Sequence, residues 1–278
     1  MKNFNRSFAT ALLLLFALLA PAIARADDKS DAYQFGKDGI EAAKNKQWDK
    51  AIDLFQKAVK ADPKTANNHN NLGLAYKGAN KMDDAIKAFS GAIEAEPDGS
   101  SGYINRGVVY TTQKNYDKAI QDFNKSISIK SDSVPAYRYR AFAYLQKKEY
   151  SKAVEDYNVV LKEKENDDAI LDRRAFALWN LKEYDKAVAD FSHIIKDKPK
   201  DKEAYLDRSY VYELKGDYEK GIADCEKVLS MDPQNADAKA RKARLDYHIK
   251  KAKATPTPTP RKERRTLPSE PEPPTRKP

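Results

Sequence analysis

The segment YINRGVVY, residues 103–110, returns in altered form along the chain. YRYRAFAY follows at 137–144, LDRRAFAL at 171–178 and YLDRSYVY at 205–212. Each copy lies thirty-four residues after the one before it and keeps one arginine in register, at Arg106, Arg140, Arg174 and Arg208. Recurrence at a fixed period of this length is typical of a repeat architecture, and the repeat therefore sets the frame for every other feature.

Six units of thirty-four residues fit the chain with no insertion or deletion. They are 32–65, 66–99, 100–133, 134–167, 168–201 and 202–235. Small residues recur at the eighth place of each unit, which holds Gly39, Gly73, Gly107, Ala141, Ala175 and Ser209. They recur again at the twentieth place, which holds Ala51, Ala85, Ala119, Ala153, Ala187 and Gly221. Small residues at matching places allow two short helices to approach closely, so each unit is predicted to be a helix pair.

Large side chains recur beside these small ones. The turn between the helices carries Trp48, Met82, Tyr116, Tyr150, Tyr184 and Tyr218. The second helix carries a large residue or cysteine at the twenty-fourth place of each unit, which holds Phe55, Phe89, Phe123, Tyr157, Phe191 and Cys225. Four units close on a proline, at Pro63, Pro97, Pro199 and Pro233, which stops the second helix.

This pattern of Gly, Tyr, Ala, Phe and Pro resembles the tetratricopeptide repeat, a helix-turn-helix unit of the same length. The resemblance covers residues 32–235 and implies an all-α superhelical solenoid of antiparallel helix pairs, whose first helices line a concave groove. After it, residues 236–253 predict a basic helix that caps the stack. Residues 254–278 hold many prolines and few apolar residues, which predicts a disordered tail with polyproline II character.

The recurring arginines have a partner in the pattern. Units three to six hold Arg at the seventh place and Asp at the twenty-third place, the aspartates being Asp122, Asp156, Asp190 and Asp224. The first two units lack this Arg and Asp combination. The seventh and twenty-third places hold Asp38 and Leu54 in unit one, and Leu72 and Ala88 in unit two. Because the two changes occur together, we predict an Arg–Asp ion pair between the helices of each unit. The alternative is a ladder of four arginines lining an anion-binding groove.

The chain begins with a segment unlike the repeats. Lys2 and Arg6 precede the apolar run FATALLLLFALLAPAIA, and Ala24-Arg25-Ala26 precedes two aspartates. This order predicts a secretory signal peptide over residues 1–26 with cleavage after Ala26, followed by a short lead over 27–31. The alternative is an uncleaved membrane anchor. We therefore expect an exported protein, periplasmic if bacterial and otherwise secreted, that is not an integral membrane protein once cleaved.

No catalytic or metal-binding pattern is present. His69, His193 and His248 lie far apart in sequence, and none has a Cys or His at metal-ligand spacing. Cys225 is the single cysteine, which excludes a disulfide within the chain and favours a packing role over a reactive thiol. We expect no cofactor, no metal and no enzymatic activity.

The groove implied by the resemblance divides into two zones. The N-terminal zone is rich in amides, with Asn67, Asn70, Asn71 and Asn105 at facing places. The C-terminal zone combines aromatic rings and arginines, with Arg138, Tyr139, Phe142, Arg173, Phe176, Trp179 and Tyr210. Amides suit hydrogen bonding to an extended backbone, and rings flanked by arginines suit apolar or acidic side chains. The competing interpretation is that the rings pack between units.

Charge suggests a second contact. Formal net charge is +9, and from Lys239 to the end thirteen Lys and Arg residues stand against four acidic ones. The sequence thus predicts a non-enzymatic scaffold or adaptor that binds another protein in its groove, with a further contact to an anionic surface through 239–278. Nucleic acid is not an expected partner. The alternatives are a tether held to anionic surfaces by its tail and a holdase-type chaperone.

Overall fold

The computed structural model describes residues 28–254. Within that range the chain forms thirteen helices and no strand. The first, α1, covers residues 28–44. The others are α2 Trp48–Ala61, α3 Ala66–Gly78, α4 Met82–Ala95, α5 Ser100–Thr112, α6 Tyr116–Ile129, α7 Val134–Gln146, α8 Tyr150–Glu163, α9 Asp168–Asn180, α10 Tyr184–Asp197, α11 Lys202–Lys215, α12 Tyr218–Met231 and α13 Ala236–Ala254. The predicted all-α fold is confirmed. The predicted signal peptide and Pro-rich tail lie outside the described residues.

The helix pairs follow the sequence period. Every even-numbered helix from α2 to α12 begins at the large turn residue of its unit, and successive starts lie thirty-four residues apart. Neighbouring helices in the chain contact each other within each described part. The chain divides into an N-terminal part up to Asp197 and a C-terminal part from Lys198.

The turn inside each pair has one backbone conformation. Lys46, Asn80, Lys114, Lys148, Lys182 and Gly216 all have a positive φ between 56° and 88°. The next residue then donates its N–H back to the first helix, as Lys81 does to the Tyr76 carbonyl at 2.8 Å and Glu149 to the Tyr144 carbonyl at 2.9 Å. This is the Schellman arrangement, which satisfies carbonyls that the helix end leaves without partners.

The core of the N-terminal part is built on aromatic rings set against small residues. Phe89 and Phe123 are fully buried, and a Cβ at Gly107 would lie only 2.6 Å from Cε1 of Phe123. Gly107 thus makes room for the Phe123 ring and also lets the backbone of the second helix approach closely. This packing explains why glycine follows arginine in YINRGVVY.

The core of the C-terminal part is built from different residues. Leu245 of α13 is fully buried, and a Cβ at Gly221 would lie 3.0 Å from its Cδ1 atom. Cys225 replaces the aromatic ring of the other units here and is also fully buried. The smaller side chains leave space that Leu245 fills, so α13 closes this core as the predicted capping helix.

Over residues 28–254, none of the helices combines the length and apolar character needed to cross a bilayer.

Candidate functional site

The predicted Arg–Asp ion pairs are present in all four units. Arg140 donates from Nε to Oδ2 of Asp156 at 2.8 Å and from Nη2 to Oδ1 at 2.7 Å. The same two-pronged contact joins the other three pairs, Arg106 with Asp122, Arg174 with Asp190 and Arg208 with Asp224. The hydrogen bond to Asp156 raises the pKa of Arg140 above its ordinary value. The prediction is confirmed, and these four arginines do not form an open ladder.

Within the described N-terminal part, the arginines of these pairs also join neighbouring units. The remaining Nη1 of Arg140 donates to Oδ1 of Asn124 at 2.6 Å, and that of Arg174 donates to Asn158 at 2.8 Å. Arg106 donates in the same way to the Ser90 hydroxyl at 2.9 Å. Each of the three thus holds the second helix of its own unit and that of the unit before it. Their role is structural.

The four asparagines of the N-terminal zone have different surroundings. Asn67 and Asn71 line a cavity of about 610 Å³ between α1 and α3, together with Tyr33, Gly36 and Ile40. Asn105 donates from Nδ2 to Oδ1 of Asn70 at 3.3 Å, so those two amides pair with each other. The structure therefore places Asn67 and Asn71 in one cavity and links Asn70 to the next unit.

Sequence reasoning missed the apolar residues of this zone. Tyr33 and Ile40 are exposed, with 75% and 44% of their surface accessible, and Leu74 is exposed as well. A second cavity, of about 300 Å³, is lined by Ile40, Trp48 and Leu74. Their position in the repeat could have identified them. Ile40 and Leu74 stand at the ninth place of their units, as the predicted contact residues Phe142 and Phe176 do.

In the C-terminal zone, Tyr139 and Arg138 contact side chains outside the predicted set. Tyr139 stacks on buried Phe123, with ring centroids 6.0 Å apart. Arg138 donates from Nη2 to Oδ2 of Asp167 at 2.6 Å. Burial raises the pKa of Asp167, but the hydrogen bond and charge of Arg138 outweigh burial and leave this pKa lowered. Arg138 is therefore committed to an ion pair.

Arg173 and Phe142, predicted as separate contact residues, contact each other. The Arg173 guanidinium lies 5.0 Å from the centre of the Phe142 ring, which is cation–π geometry. In the C-terminal part, Arg241 lies over Tyr210 at the same 5.0 Å. Arginine therefore covers one face of two rings that were predicted to be open to a partner.

Phe176 and Trp179 lie on α9 with their ring centroids 4.8 Å apart. Phe176 is 39% exposed, whereas Trp179 is half-buried and lies 6.1 Å from the fully buried Phe191 ring. Trp179 thus connects the core to the surface, and Phe176 presents an aromatic ring to solvent.

Over 28–254, no group of three or more His, Cys, Asp or Glu is placed to hold a metal ion. Burial raises the pKa of the Cys225 thiol, whose Sγ lies 3.2 Å from the Ser209 hydroxyl. A buried thiol with a raised pKa is poorly nucleophilic, in agreement with a packing role.

Helix pairs that repeat at a fixed interval, with a core of rings against small residues, define an α-helical repeat protein. Family models described as tetratricopeptide repeat match residues 100–133, 66–98 and 202–235, and one described as TPR repeat matches residues 42–80. The chain is a tetratricopeptide repeat protein. Such proteins act in protein–protein interaction. No curated protein sequence matches the chain.

Solved structures share the fold. YrrB, a TPR protein with an unusual peptide-binding site, is 19% identical, with a TM-score of 0.63 over 68% of this chain and 97% of its own. PilF of Pseudomonas aeruginosa is 15% identical, with a TM-score of 0.63 over 78% of this chain and 99% of its own. A tetratricopeptide repeat protein of Parabacteroides merdae is 20% identical, with a TM-score of 0.60 over 82% of this chain and 94% of its own. At these identities the likeness shows the fold alone.

Proposed function

We propose that this chain is a non-enzymatic adaptor that binds a peptide or helix of another protein along the groove formed by its first helices. The observation that carries the proposal is the Phe176 ring. It is 39% exposed on a helix whose neighbouring ring, Trp179, is anchored on the core. An exposed aromatic side chain on a rigid support provides contact area to a partner at little cost in conformational entropy.

The cavity at the other end of the N-terminal part supports the same function. Its lining combines the apolar Tyr33 and Ile40 with the amides of Asn67 and Asn71. Apolar walls with a few polar groups are typical of binding pockets, because the walls supply burial and the amides fix the orientation of a backbone. YrrB, with a similar fold, is described as having a peptide-binding site, which fits this proposal.

We place the adaptor in the cell envelope or secreted space because of the order of charged, apolar and small residues over 1–26. N-terminal sequencing of protein isolated from its own cells should then begin at Asp27. Retention of Met1 would contradict the export proposal without affecting the proposed binding function.

A tether to anionic surfaces is the second candidate. Lys239 and Lys250 are exposed on α13, and the basic segment continues beyond it. Clustered surface lysines attract anionic polymers and lipid head groups, with a strength that falls as salt rises. Deletion of residues 255–278 should abolish salt-sensitive binding if this candidate is correct, and should leave groove binding unchanged if the adaptor proposal is correct.

Site-specific crosslinking in the native cell tests the adaptor proposal. A photoreactive residue at position 176 or 40 should capture one protein, whereas the same residue at Lys125, exposed on α6, should not. Capture from Lys125 as efficient as from position 176 would overturn groove binding. Capture of many unfolded proteins from position 176 would support the holdase alternative instead.

A further inference from the structure

Tyr157 is the one tyrosine at the twenty-fourth place, where four of the six units carry phenylalanine. Its side chain is fully buried, and its hydroxyl oxygen has no hydrogen-bond partner of ordinary geometry among the described residues. A buried hydroxyl without a partner destabilises a folded protein, and phenylalanine would fill the same space without that cost. The packing of the repeat therefore does not explain why tyrosine stands here.

The surroundings of the hydroxyl indicate another role. The ring at the twenty-fourth place faces the sixth place of the following unit, as Phe123 faces Tyr139. The residue at that place in unit five is Arg173. Burial raises the pKa of Tyr157 to about 12. The charge of Arg173, a contact with Arg173 that falls short of an ordinary hydrogen bond, and the charge of Arg138 oppose this shift. The hydroxyl is thus protonated near neutral pH and lies within the influence of two guanidinium groups.

The two arginines differ in their charge balance. Arg138 has a carboxylate partner in Asp167. Within the described N-terminal part, up to Asp197, no carboxylate forms an ion pair with Arg173, whose guanidinium lies 5.0 Å from the centre of the Phe142 ring. A half-buried guanidinium on a first helix, without an acid of its own part to balance it, attracts an acid from elsewhere.

Phe176 lies one helical turn from Arg173 on α9, so the two side chains lie on the same side of that helix. This spacing places an exposed ring beside a guanidinium that has no carboxylate partner within the described N-terminal part. A partner that satisfies both would carry a carboxylate next to a large apolar side chain.

We propose that Arg173 binds the carboxylate of an Asp or Glu side chain in the partner segment, that Tyr157 positions Arg173, and that an apolar residue next to that acid packs on Phe176. This inference rests on the proposed adaptor function and adds the chemistry of the bound segment. The phenolic oxygen can accept a hydrogen bond and a guanidinium carries only donors, so the hydroxyl attracts Arg173 and restricts its orientation over Phe142. Tyr157 itself is buried and does not touch the partner.

The test uses the intact protein and a displayed library of random twelve-residue peptides. Selected peptides should carry Asp or Glu beside an aromatic or large aliphatic residue. For the strongest one, replacing its acid by the matching amide should weaken Kd at least tenfold against the wild-type protein. Against Arg173→Gln the same replacement should change Kd less than twofold, because the group that reads the charge is gone. Lys162→Gln, which removes the same charge from an exposed site on α8, should behave as wild type.

Tyr157→Phe separates positioning from folding. It should weaken binding of the acidic peptide at least threefold while the melting temperature stays equal or rises, since phenylalanine is the residue of the equivalent place in four other units. A lowered melting temperature would overturn the positioning role by showing that the hydroxyl stabilises the fold.

Two further outcomes are distinguishable. The selected peptides could lose binding to Phe176→Ala, yet show no preference for acid and no response to Arg173→Gln. That result would overturn this inference and leave the adaptor function standing. Failure to select any peptide, or binding indifferent to Phe176→Ala, would overturn both.

Discussion

Arg140 and Asp156 form a two-pronged ion pair in which both side chains are largely withdrawn from water. Their side chains are 17% and 6% exposed, and the two nitrogen–oxygen distances are 2.8 and 2.7 Å. The pair joins two helices of one unit, and the third contact of Arg140 reaches Asn124 of the unit before it. Equivalent places in the second unit hold the buried apolar residues Leu72 and Ala88.

This relationship predicts strong non-additivity. Asp156→Ala alone should lower the free energy of unfolding by about 3–5 kcal/mol, because it leaves the Arg140 charge buried without its partner. The double variant Arg140→Leu, Asp156→Ala reproduces the pair of the second unit and should return to within about 1 kcal/mol of wild type. Urea unfolding of the three proteins measures this. A double variant no more stable than the single one would contradict the argument.

Acid should weaken the contact between Arg138 and Asp167. The pKa of Asp167 is lowered in the folded protein, so the pair stabilises the fold above the unfolded-state pKa of about 4 and loses that contribution as pH falls through the lower folded-state pKa. Asp167→Asn should therefore show a smaller loss of melting temperature than wild type between pH 4 and pH 2.5. Equal losses in the two proteins would show that Asp167 titrates alike in the folded and unfolded states.

The left-handed turn residue predicts a stabilising substitution. Lys114 has a φ of 60°, a conformation that costs a residue with a side chain about 1 kcal/mol but costs glycine little. Lys114→Gly should raise the free energy of unfolding by up to about 1 kcal/mol, as the natural Gly216 suggests. Lys125→Gly, in the exposed interior of α6, should instead lower it by about 1 kcal/mol. Thermal unfolding that gives the two variants the same sign would contradict this account.

Replacing each of the two aromatic residues of α9 by alanine should change stability by different amounts. Trp179→Ala should destabilise by about 2–4 kcal/mol, because it removes a ring packed on buried Phe191. Phe176→Ala should cost about 1 kcal/mol or less, since its ring is 39% exposed. Circular dichroism melting curves measure both. A large loss for Phe176→Ala would assign that ring to packing and remove the main support for the adaptor proposal.

The capping helix predicts a contrast between two residues of α13. Leu245→Ala should destabilise the C-terminal part by about 2–5 kcal/mol, because the side chain is fully buried in the space left by Gly221. Tyr247→Ala should change stability by less than about 0.5 kcal/mol, because Tyr247 is exposed. Hydrogen exchange of α11 and α12 amides would localise the effect. Equal protection in both variants would show that α13 does not close this core.

The sequence by itself determined the period, the helix pairs and the four Arg–Asp ion pairs. These features recur in successive units, so each unit gives independent evidence for the same pattern. Each ion pair joins residues sixteen positions apart, and the small residues between the helices fix their approach. The same pattern predicted that glycine beside arginine makes a close contact, although the contact partner is the Phe123 ring.

Only the tertiary structure decided which side chains of the first helices stay open. Arg173 covers Phe142, Arg138 pairs with Asp167, and Tyr157 ends beside Arg173. Each contact joins different helices and depends on the rotamers that fit once those helices pack, which residue types alone do not specify. The left-handed turn residues were hidden for a similar reason: closure of the helix pair imposes a positive φ on lysine, a residue with no preference for it.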